Sequence, residues 1–226
     1  MAGSTYILRA ARPDESGRLF TAIEKWGDPY VLGRPESEIR AAAEQGFFFV
    51  ITDEHDAEIL ALSAVFTLRE SEYVETGNTY VGEDLRGFGI QTLFFQMRIA
   101  TVVWSEGTKI NVTTAINPSN LPSLKNKDGA GFVAMKPIEE HLTPCKDCNK
   151  RPPEGSPQPC CCAFYLLPVD RMRQATRDLL ARSSAGTIDL RHRDGAAIRL
   201  TVKAKVVTDP DARIALDEYA NGANWP

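Results

Sequence analysis

The stretch from Tyr80 to Phe95 constrains the fold of this chain more than any other. It is typical of a strand end, then a turn with Gly87 and Gly89, and then the first turns of an amphipathic helix. A helix N-terminus carries unpaired backbone N–H groups and a partial positive charge, and both attract phosphate oxygens. Glycine also lets a ligand approach the backbone closely. The stretch therefore indicates a phosphate-binding turn between a strand and a helix.

Two common phosphate motifs do not fit this turn. A P-loop needs a Lys followed by Ser or Thr after its second glycine, and neither is present. The dinucleotide fingerprint needs a third glycine, but Thr92 occupies that position. A purely structural strand-to-helix turn is the alternative interpretation.

The order of the predicted elements indicates an α/β protein with a mixed sheet. Apolar residues alternate in the strands and recur at helical spacing in the helices, so that Ile90, Leu93, Phe94 and Met97 form one core-facing stripe. The order β-α-α-β-β-β-α-β-α-β predicts helices on both faces of the sheet. The predicted strands begin near Tyr6, Phe47, Ile59, Tyr73, Lys109 and Ala163, and the predicted helices near Asp14, Pro35, Ile90 and Asn120.

A second motif lies downstream of the turn. Asn120 and Ser123 follow the fifth predicted strand, and Gly131-Phe132 begins eleven residues after Asn120. Together with the pattern Arg86, Gly89, Gln91, these residues resemble the acetyl-CoA motif and the next motif of the Gcn5-related N-acetyltransferases. Gln91 stands where the family has a small residue. The resemblance covers about residues 5 to 137, and more weakly extends to about 168.

The resemblance implies a fold and a function. The fold is that of the family, with strands four and five splayed to admit the cofactor. The expected activity is transfer of an acyl group from acetyl-CoA to a primary amine of a small molecule or a protein. The alternative is a non-catalytic acyl-CoA-binding or zinc-stapled interaction protein on the same fold. The implied cofactor-binding residues are Val81 at the end of strand four, Arg86, the backbone of Gly87, Phe88, Gly89, Gln91 and Thr92, and Asn120.

The resemblance also supplies candidates for proton transfer. Glu75 lies eleven residues before Arg86, which is the spacing of the general base in the histone-acetylating branch, and Glu72 and Glu70 are fallback candidates. Many relatives carry a tyrosine acid seven residues after the motif asparagine, but Lys127 stands there. Tyr165 and Tyr80 are then the candidate acids, if the fold brings either one near.

All five cysteines lie within residues 145–162. Cys-x2-Cys supplies two zinc ligands from one turn, and two cysteines at alternate positions of an extended segment face the same side. We therefore predict a structural zinc site, with disulfides or free thiols as alternatives. Cys161 is the spare thiol, and His141 could replace one ligand. The predicted ligands are Cys145, Cys148, Cys160 and Cys162.

Charge and composition argue against two other classes of protein, nucleic-acid-binding and membrane-spanning. The net charge of −4 argues against broad nucleic-acid binding, and no apolar run approaches the ~20 residues of a membrane span. The first residues show no signal peptide, so we expect a cytoplasmic location. We divide the chain into an acetyltransferase-like domain, residues 1–168 with a cysteine-rich insertion at 141–162, and a helix, hairpin and helix extension, residues 169–226. This extension is expected to pack on the main domain or on a second subunit, and in the second case the protein is a homodimer.

Overall fold

The computed structural model describes residues 4–26, 33–68, 72–107, 109–138, 162–183 and 186–223. These residues form one mixed sheet of nine strands. The strands are β1 Ser4–Ala10, β2 Phe48–Thr52, β3 Ile59–Thr67, β4 Tyr73–Val81, β5 Asn111–Ile116, β6 Val133–Met135, β7 Ala163–Leu166, β8 Thr187–Arg191 and β9 Ala197–Lys203. The helices are α1 Ser16–Trp26, α2 Glu36–Glu44, α3 Ile90–Glu106, α4 Leu121–Ala130, α5 Val169–Arg182, α6 Lys205–Thr208 and α7 Pro210–Ala220. Short 3-10 turns span Pro13–Glu15 and Glu83–Leu85.

The strand order across the sheet is β6-β7-β5-β4-β3-β2-β1-β9-β8. Two neighbouring pairs are parallel, β4 with β5 and β1 with β9, and the other pairs are antiparallel. The predicted mixed sheet is therefore confirmed. The bounds of β3 and β4 and the start of α3 agree with the sequence pattern to the residue.

The C-terminal extension is continuous with the main sheet. Strand β9 pairs in parallel with β1 from Ser4 opposite Ile198 to Arg9 opposite Lys203. Helix α5 packs along α3, and α7 packs against both. Residues of the extension, such as Leu200 and Tyr219, are fully buried in the same hydrophobic core as α3.

The core is formed by strand residues and by the inner faces of the helices. The stripe predicted on α3 is buried, with each of its four side chains at most 1% exposed. The middle of β2 and β3 is also buried on both sides, as is expected of central strands covered by helices. None of the helices that the structure describes combines the length and the apolar character that spanning a membrane requires.

Candidate functional site

The ladder between β4 and β5 is short, and it forms a fork in the middle of the sheet. It contains three residue pairs and ends at Glu75 opposite Thr113. Both strands continue past this point, to Val81 and Ile116, without further pairing to each other. The strands therefore separate beyond Glu75, as the family resemblance implied.

Threonine side chains fix the closed end of this fork. The hydroxyl of Thr113 donates to the carbonyl of Val74 at 2.9 Å, and that of Thr76 donates to the carbonyl of Thr113 at 3.1 Å. The hydroxyl of Thr114 donates to the carbonyl of Thr76 at 3.0 Å. These bonds satisfy backbone carbonyls where the ladder stops, so the point of separation is well defined.

A β-bulge redirects β4 just after the fork. The register with β3 shifts between Leu62 and Ala64, which pair with Tyr80 and Gly77. The extra length on β4 includes Asn78, whose φ of 44° lies in the left-handed region that asparagine tolerates better than most residues. A bulge bends and twists the strand that carries it, so β4 turns away from β5 here.

A buried arginine lies beneath the bulge. Arg98 of α3 is buried, and its Nη1 donates long hydrogen bonds to the carbonyls of Ala64 (3.5 Å) and Gly77 (3.4 Å). No carboxylate of the described residues pairs with it, and burial lowers its pKa to about 10. Arg98 is thus a cation held by backbone dipoles at the two strands that flank the register shift.

The candidate base, Glu75, lies at the fork and is buried. Its Oε1 is 3.0 Å from Arg34 Nη2, and Arg34 also pairs with Glu38 at 3.2 Å. The Arg34 guanidinium stacks on the ring of Phe66, 4.5 Å from its centroid. Burial opposes the charge on Arg34, but the two carboxylates outweigh it and raise the pKa of its guanidinium. Glu75 is therefore held in place by a charged partner that cannot lose its proton.

The predicted phosphate-binding turn follows β4 directly. Arg86 Nε donates to the carbonyl of Val81 at 3.2 Å, and its Nη1 lies 3.8 Å from Glu83. The Arg86 side chain is 67% exposed, so its guanidinium is available to a ligand at the surface. Gly87 and Gly89 have φ values of 82° and 77°, which only glycine adopts without strain.

Helix α3 begins immediately after Gly89. The first α-helical bond runs from the amide of Leu93 to the carbonyl of Gly89 at 3.0 Å, so the amides before it belong to the free N-terminal set. Phe88 and Gln91 are half-buried, whereas Thr92 is exposed beside the turn. The structure therefore brings the predicted residues from Val81 to Thr92 together around one helix start.

The tip of the C-terminal hairpin lies against this turn, which the sequence did not indicate. The imidazole of His192 covers Gly87, so that a methyl group built at Gly87 would overlap its Nε2. The same ring packs against Phe88 in a tilted arrangement, with 5.1 Å between the ring centroids. Asp194 pairs with His192 Nδ1 at 2.8 Å. A lone histidine next to a hairpin turn gives no sequence signal for such a contact.

Asn120 lies in the turn after β5, where it caps α4. Its Oδ1 accepts a hydrogen bond from the amide of Ser123 at 3.1 Å. This is the usual role of an asparagine at a helix start, and it leaves the side-chain N–H groups of Asn120 as donors.

The structure places Tyr165 beside the position where relatives carry a tyrosine. Lys127 Nζ lies 4.1 Å above the centroid of the Tyr165 ring. Tyr165 pairs with Thr114 of β5, one residue beyond the fork. Tyr80 instead packs on Trp26, with ring centroids 5.4 Å apart. Of the two candidate acids, the fold brings Tyr165 next to position 127.

The predicted zinc site falls mostly outside the described residues. Cys145, Cys148 and Cys160 are not described, and neither are the spare thiol Cys161 and the alternative ligand His141. Of the predicted ligands only Cys162 is described, half-buried just before β7. Within the part that the structure describes, no group of three or more His, Cys, Asp or Glu side chains could hold a metal ion. Of the fallback bases, Glu70 is not described, and Glu72 is exposed ahead of β4. Zinc binding stays a prediction.

Comparisons with known proteins bear on the fold. The chain superposes on the structure of a proposed acetyltransferase from Acinetobacter baylyi ADP1 with a TM-score of 0.54 and 16% sequence identity, over 75% of this chain and 95% of that one. The chain has the fold of the Gcn5-related N-acetyltransferases. A scan with protein-family models gives no match, and neither does a search of curated proteins.

Two other solved structures superpose on the chain with lower TM-scores. An acetyltransferase of the same family from Streptococcus pneumoniae has a TM-score of 0.49 at 13% identity, over 71% of this chain and 96% of that one. A diaminobutyrate acetyltransferase from Paenibacillus lautus, in complex with L-2,4-diaminobutyric acid and coenzyme A, has a TM-score of 0.48 at 14% identity, over 73% of this chain and 95% of that one.

Proposed function

We propose that this protein is an N-acyltransferase that moves an acetyl group from acetyl-CoA to a primary amine. The observation that carries the proposal is the position of Glu75. It lies where β4 and β5 part, and β4 leads from there to the glycine turn at the start of α3. An extended thioester cofactor with a diphosphate at one end fits a gap with a phosphate-binding turn at one end and a carboxylate at the other.

In this proposal the backbone from Gly87 to Thr92 binds the diphosphate. Free amides and the partial positive charge of the α3 N-terminus favour the anion, and Arg86 adds a charged donor at the surface. Asn120 offers its side-chain N–H groups from the neighbouring turn. The pantetheine arm then lies in the gap between the separated strands.

Glu75 is proposed as the general base. An amine attacks a thioester only after it has lost a proton, and a carboxylate within hydrogen-bond reach, directly or through water, can accept that proton. Arg34 fixes the orientation of the carboxylate by pairing with Oε1, which leaves Oε2 to face the acceptor. No side chain at Gly77, the next residue on the same face of β4, fills the space beside Glu75.

Tyr165 is proposed as the acid that protonates the leaving thiolate. It stands on β7 next to Lys127, so it takes the place of the tyrosine that the sequence lacks at position 127. If so, Tyr165→Phe lowers kcat and leaves the affinity for acetyl-CoA unchanged. An unchanged kcat would mean that the thiolate leaves without this acid.

A turnover assay tests the proposed base. Release of CoA thiol is followed with a panel of amines, namely amino acids, polyamines, aminoglycosides and peptides with a free N-terminus. We expect Glu75→Gln to lower kcat by about 100-fold to 10,000-fold, the usual contribution of a general base, with acetyl-CoA affinity unchanged.

Glu38→Gln is the matched control for that variant. It removes the other carboxylate of Arg34 by the same chemical change, but away from the fork. We expect it to keep kcat. Equal losses of kcat in both variants would show that Glu75 acts only by holding Arg34, and would refute its role as the base.

The second candidate function is acyl-CoA binding without catalysis. The observation in its favour is the same ion pair, because Arg34 already engages the Glu75 carboxylate. Thiol release with any acceptor in the panel excludes this function, whereas tight acetyl-CoA binding with no turnover supports it. The proposed zinc site and a homodimer are separate proposals, which native mass measurement with and without a chelator tests together. The division of the chain at residue 168 stays a prediction.

A further inference from the structure

A cleft of ≈ 480 Å³ opens beside the start of α3, and the C-terminal extension forms its other wall. Phe88, Gly89 and Thr92 line one side. The opposite side is lined by Arg182 at the end of α5 and by Asp189, Leu190 and Arg191 of β8. The cleft thus adjoins the proposed diphosphate turn, and its second wall comes from a part of the chain that the function proposed above does not use.

The charges around this cleft are unbalanced. Arg182 and Arg191 are exposed, and neither forms an ion pair with any carboxylate among the described residues. The one acidic group in the lining is already occupied, because Asp189 binds Arg199 through two hydrogen bonds of 2.7 and 3.0 Å. That bond, with a smaller contribution from the charge of Arg191, lowers the pKa of Asp189. The cleft therefore presents two unneutralised guanidinium groups.

The hairpin that carries this wall is fixed against the glycine turn. His192, next to Arg191, covers Gly87 and packs against the ring of Phe88, and its Nδ1 is held by Asp194. Arg191 is thus placed relative to the turn by packed contacts rather than by a free loop. Two planar guanidinium groups held near a phosphate-binding turn suit a second phosphate, since arginine binds phosphate oxygens through paired N–H donors.

We propose that Arg182 and Arg191 bind the 3′-phosphate of the cofactor's nucleotide end. This inference rests on the proposed function, which assigns the diphosphate to the backbone of the glycine turn. The remaining phosphate of coenzyme A is the ester on the ribose, and it extends from the diphosphate on the nucleotide side. The C-terminal extension then acts as part of the cofactor site, and it selects coenzyme A over analogues that lack this ester.

Calorimetric titration of the full chain with coenzyme A and with dephospho-coenzyme A, which lacks the 3′-phosphate, tests the proposal. The variant is Arg182→Ala/Arg191→Ala, and both changes are at exposed side chains. We expect its dissociation constant for coenzyme A to rise about 10-fold to 100-fold, as for loss of charge-assisted bonds. Its affinity for dephospho-coenzyme A should match that of the unmodified protein within about twofold.

Arg40→Ala is the matched control. Arg40 is an exposed arginine of α2, paired with Glu36, and its removal changes the net charge without touching the cleft. We expect it to leave both affinities unchanged. Because salt screens the attraction between arginine and phosphate, all titrations are made at one ionic strength.

The outcomes separate this inference from the function on which it rests. If the unmodified protein binds coenzyme A but the double variant binds it equally well, the inference is overturned and the proposed function stands. If the affinity of the double variant falls by the same factor for both ligands, the arginines bind the diphosphate and the 3′-phosphate assignment is wrong. If the unmodified protein binds neither ligand, the proposed function fails, and this inference fails with it.

Discussion

A methyl group at Gly87 tests the packing of the C-terminal hairpin on the glycine turn. Gly87→Ala has two costs. An alanine at a φ of 82° costs about 1–2 kcal/mol of backbone strain. The methyl group also displaces His192, which loses a ring contact with Phe88 worth about 0.5–1.5 kcal/mol. We therefore expect the free energy of unfolding to fall by about 2–3 kcal/mol.

A double-mutant cycle separates the two costs. His192→Ala removes the ring contact and the overlap, so Gly87→Ala should cost only its backbone strain in that background. The two changes should then be less than additive by about 1 kcal/mol, measured by urea unfolding. Gly46→Ala is the control, since Gly46 has a φ of 72° but no atom of the described residues lies within 4 Å of a methyl group built there. Gly46→Ala should lower the free energy of unfolding by the same amount with and without His192. If the effects of Gly87→Ala and His192→Ala were additive, the proposed packing of His192 on Gly87 would be refuted.

Three further predictions concern charged and polar side chains. Asp56 pairs with Arg9 and Arg12, and although burial opposes ionisation, these arginines lower its pKa to about 2. Asparagine tolerates the φ of 58° at this position, so Asp56→Asn removes the charge without backbone strain. It should therefore lower the free energy of unfolding, measured by urea unfolding at pH 5–7, by about 1–2 kcal/mol. That difference should shrink between about pH 4 and pH 2, as the folded protein's carboxyl gains its proton, and a difference independent of pH would contradict the pairing. Arg98→Met replaces a buried cation that has no carboxylate partner among the described residues with an uncharged side chain of similar length. We expect thermal unfolding to show a free energy of unfolding that is unchanged or up to about 2 kcal/mol higher. A clear loss of stability would mean that the hydrogen bonds from Arg98 to the bulge dominate. The Tyr219 hydroxyl is buried with no hydrogen-bond partner among the described residues, and burial raises its pKa to about 12. Tyr219→Phe should therefore raise the free energy of unfolding by about 1 kcal/mol. A decrease of similar size would reveal a hydrogen-bond partner.

Local sequence patterns predicted most of the fold. Strands such as Ile59–Thr67 and the start of α3 at Ile90 are confirmed because each has its own hydrophobic period and turn residues. Strand β6 could not be given bounds from the sequence, since its three residues Val133–Met135 are mostly exposed and too few to show a period. The four-residue helix Lys205–Thr208 was missed because it is too short to show a helical period.

Contacts between distant segments could not be predicted from local patterns. The parallel pairing of Ser4 with Ile198 joins the two ends of the chain, and no local rule specifies it. The family motif indicated Arg86, Gly89 and Asn120 as site residues, but it gave no role to the extension. The non-local pairing fixes where the hairpin lies. The contact of His192 with Gly87 and the position of the two arginines in the cleft both depend on it.

The most direct test of the central claim is calorimetric titration of acetyl-CoA into the full chain and into Thr92→Glu. Thr92 is exposed in the first turn of α3, where an acidic residue favours the helix but repels a phosphate. Val169→Glu places the same charge at the exposed first residue of α5, away from the turn. We predict that the unmodified protein and Val169→Glu bind acetyl-CoA equally and that Thr92→Glu binds it at least about tenfold more weakly. Equal binding by Thr92→Glu, or no binding by the unmodified protein, would contradict the assignment of the turn to the cofactor diphosphate.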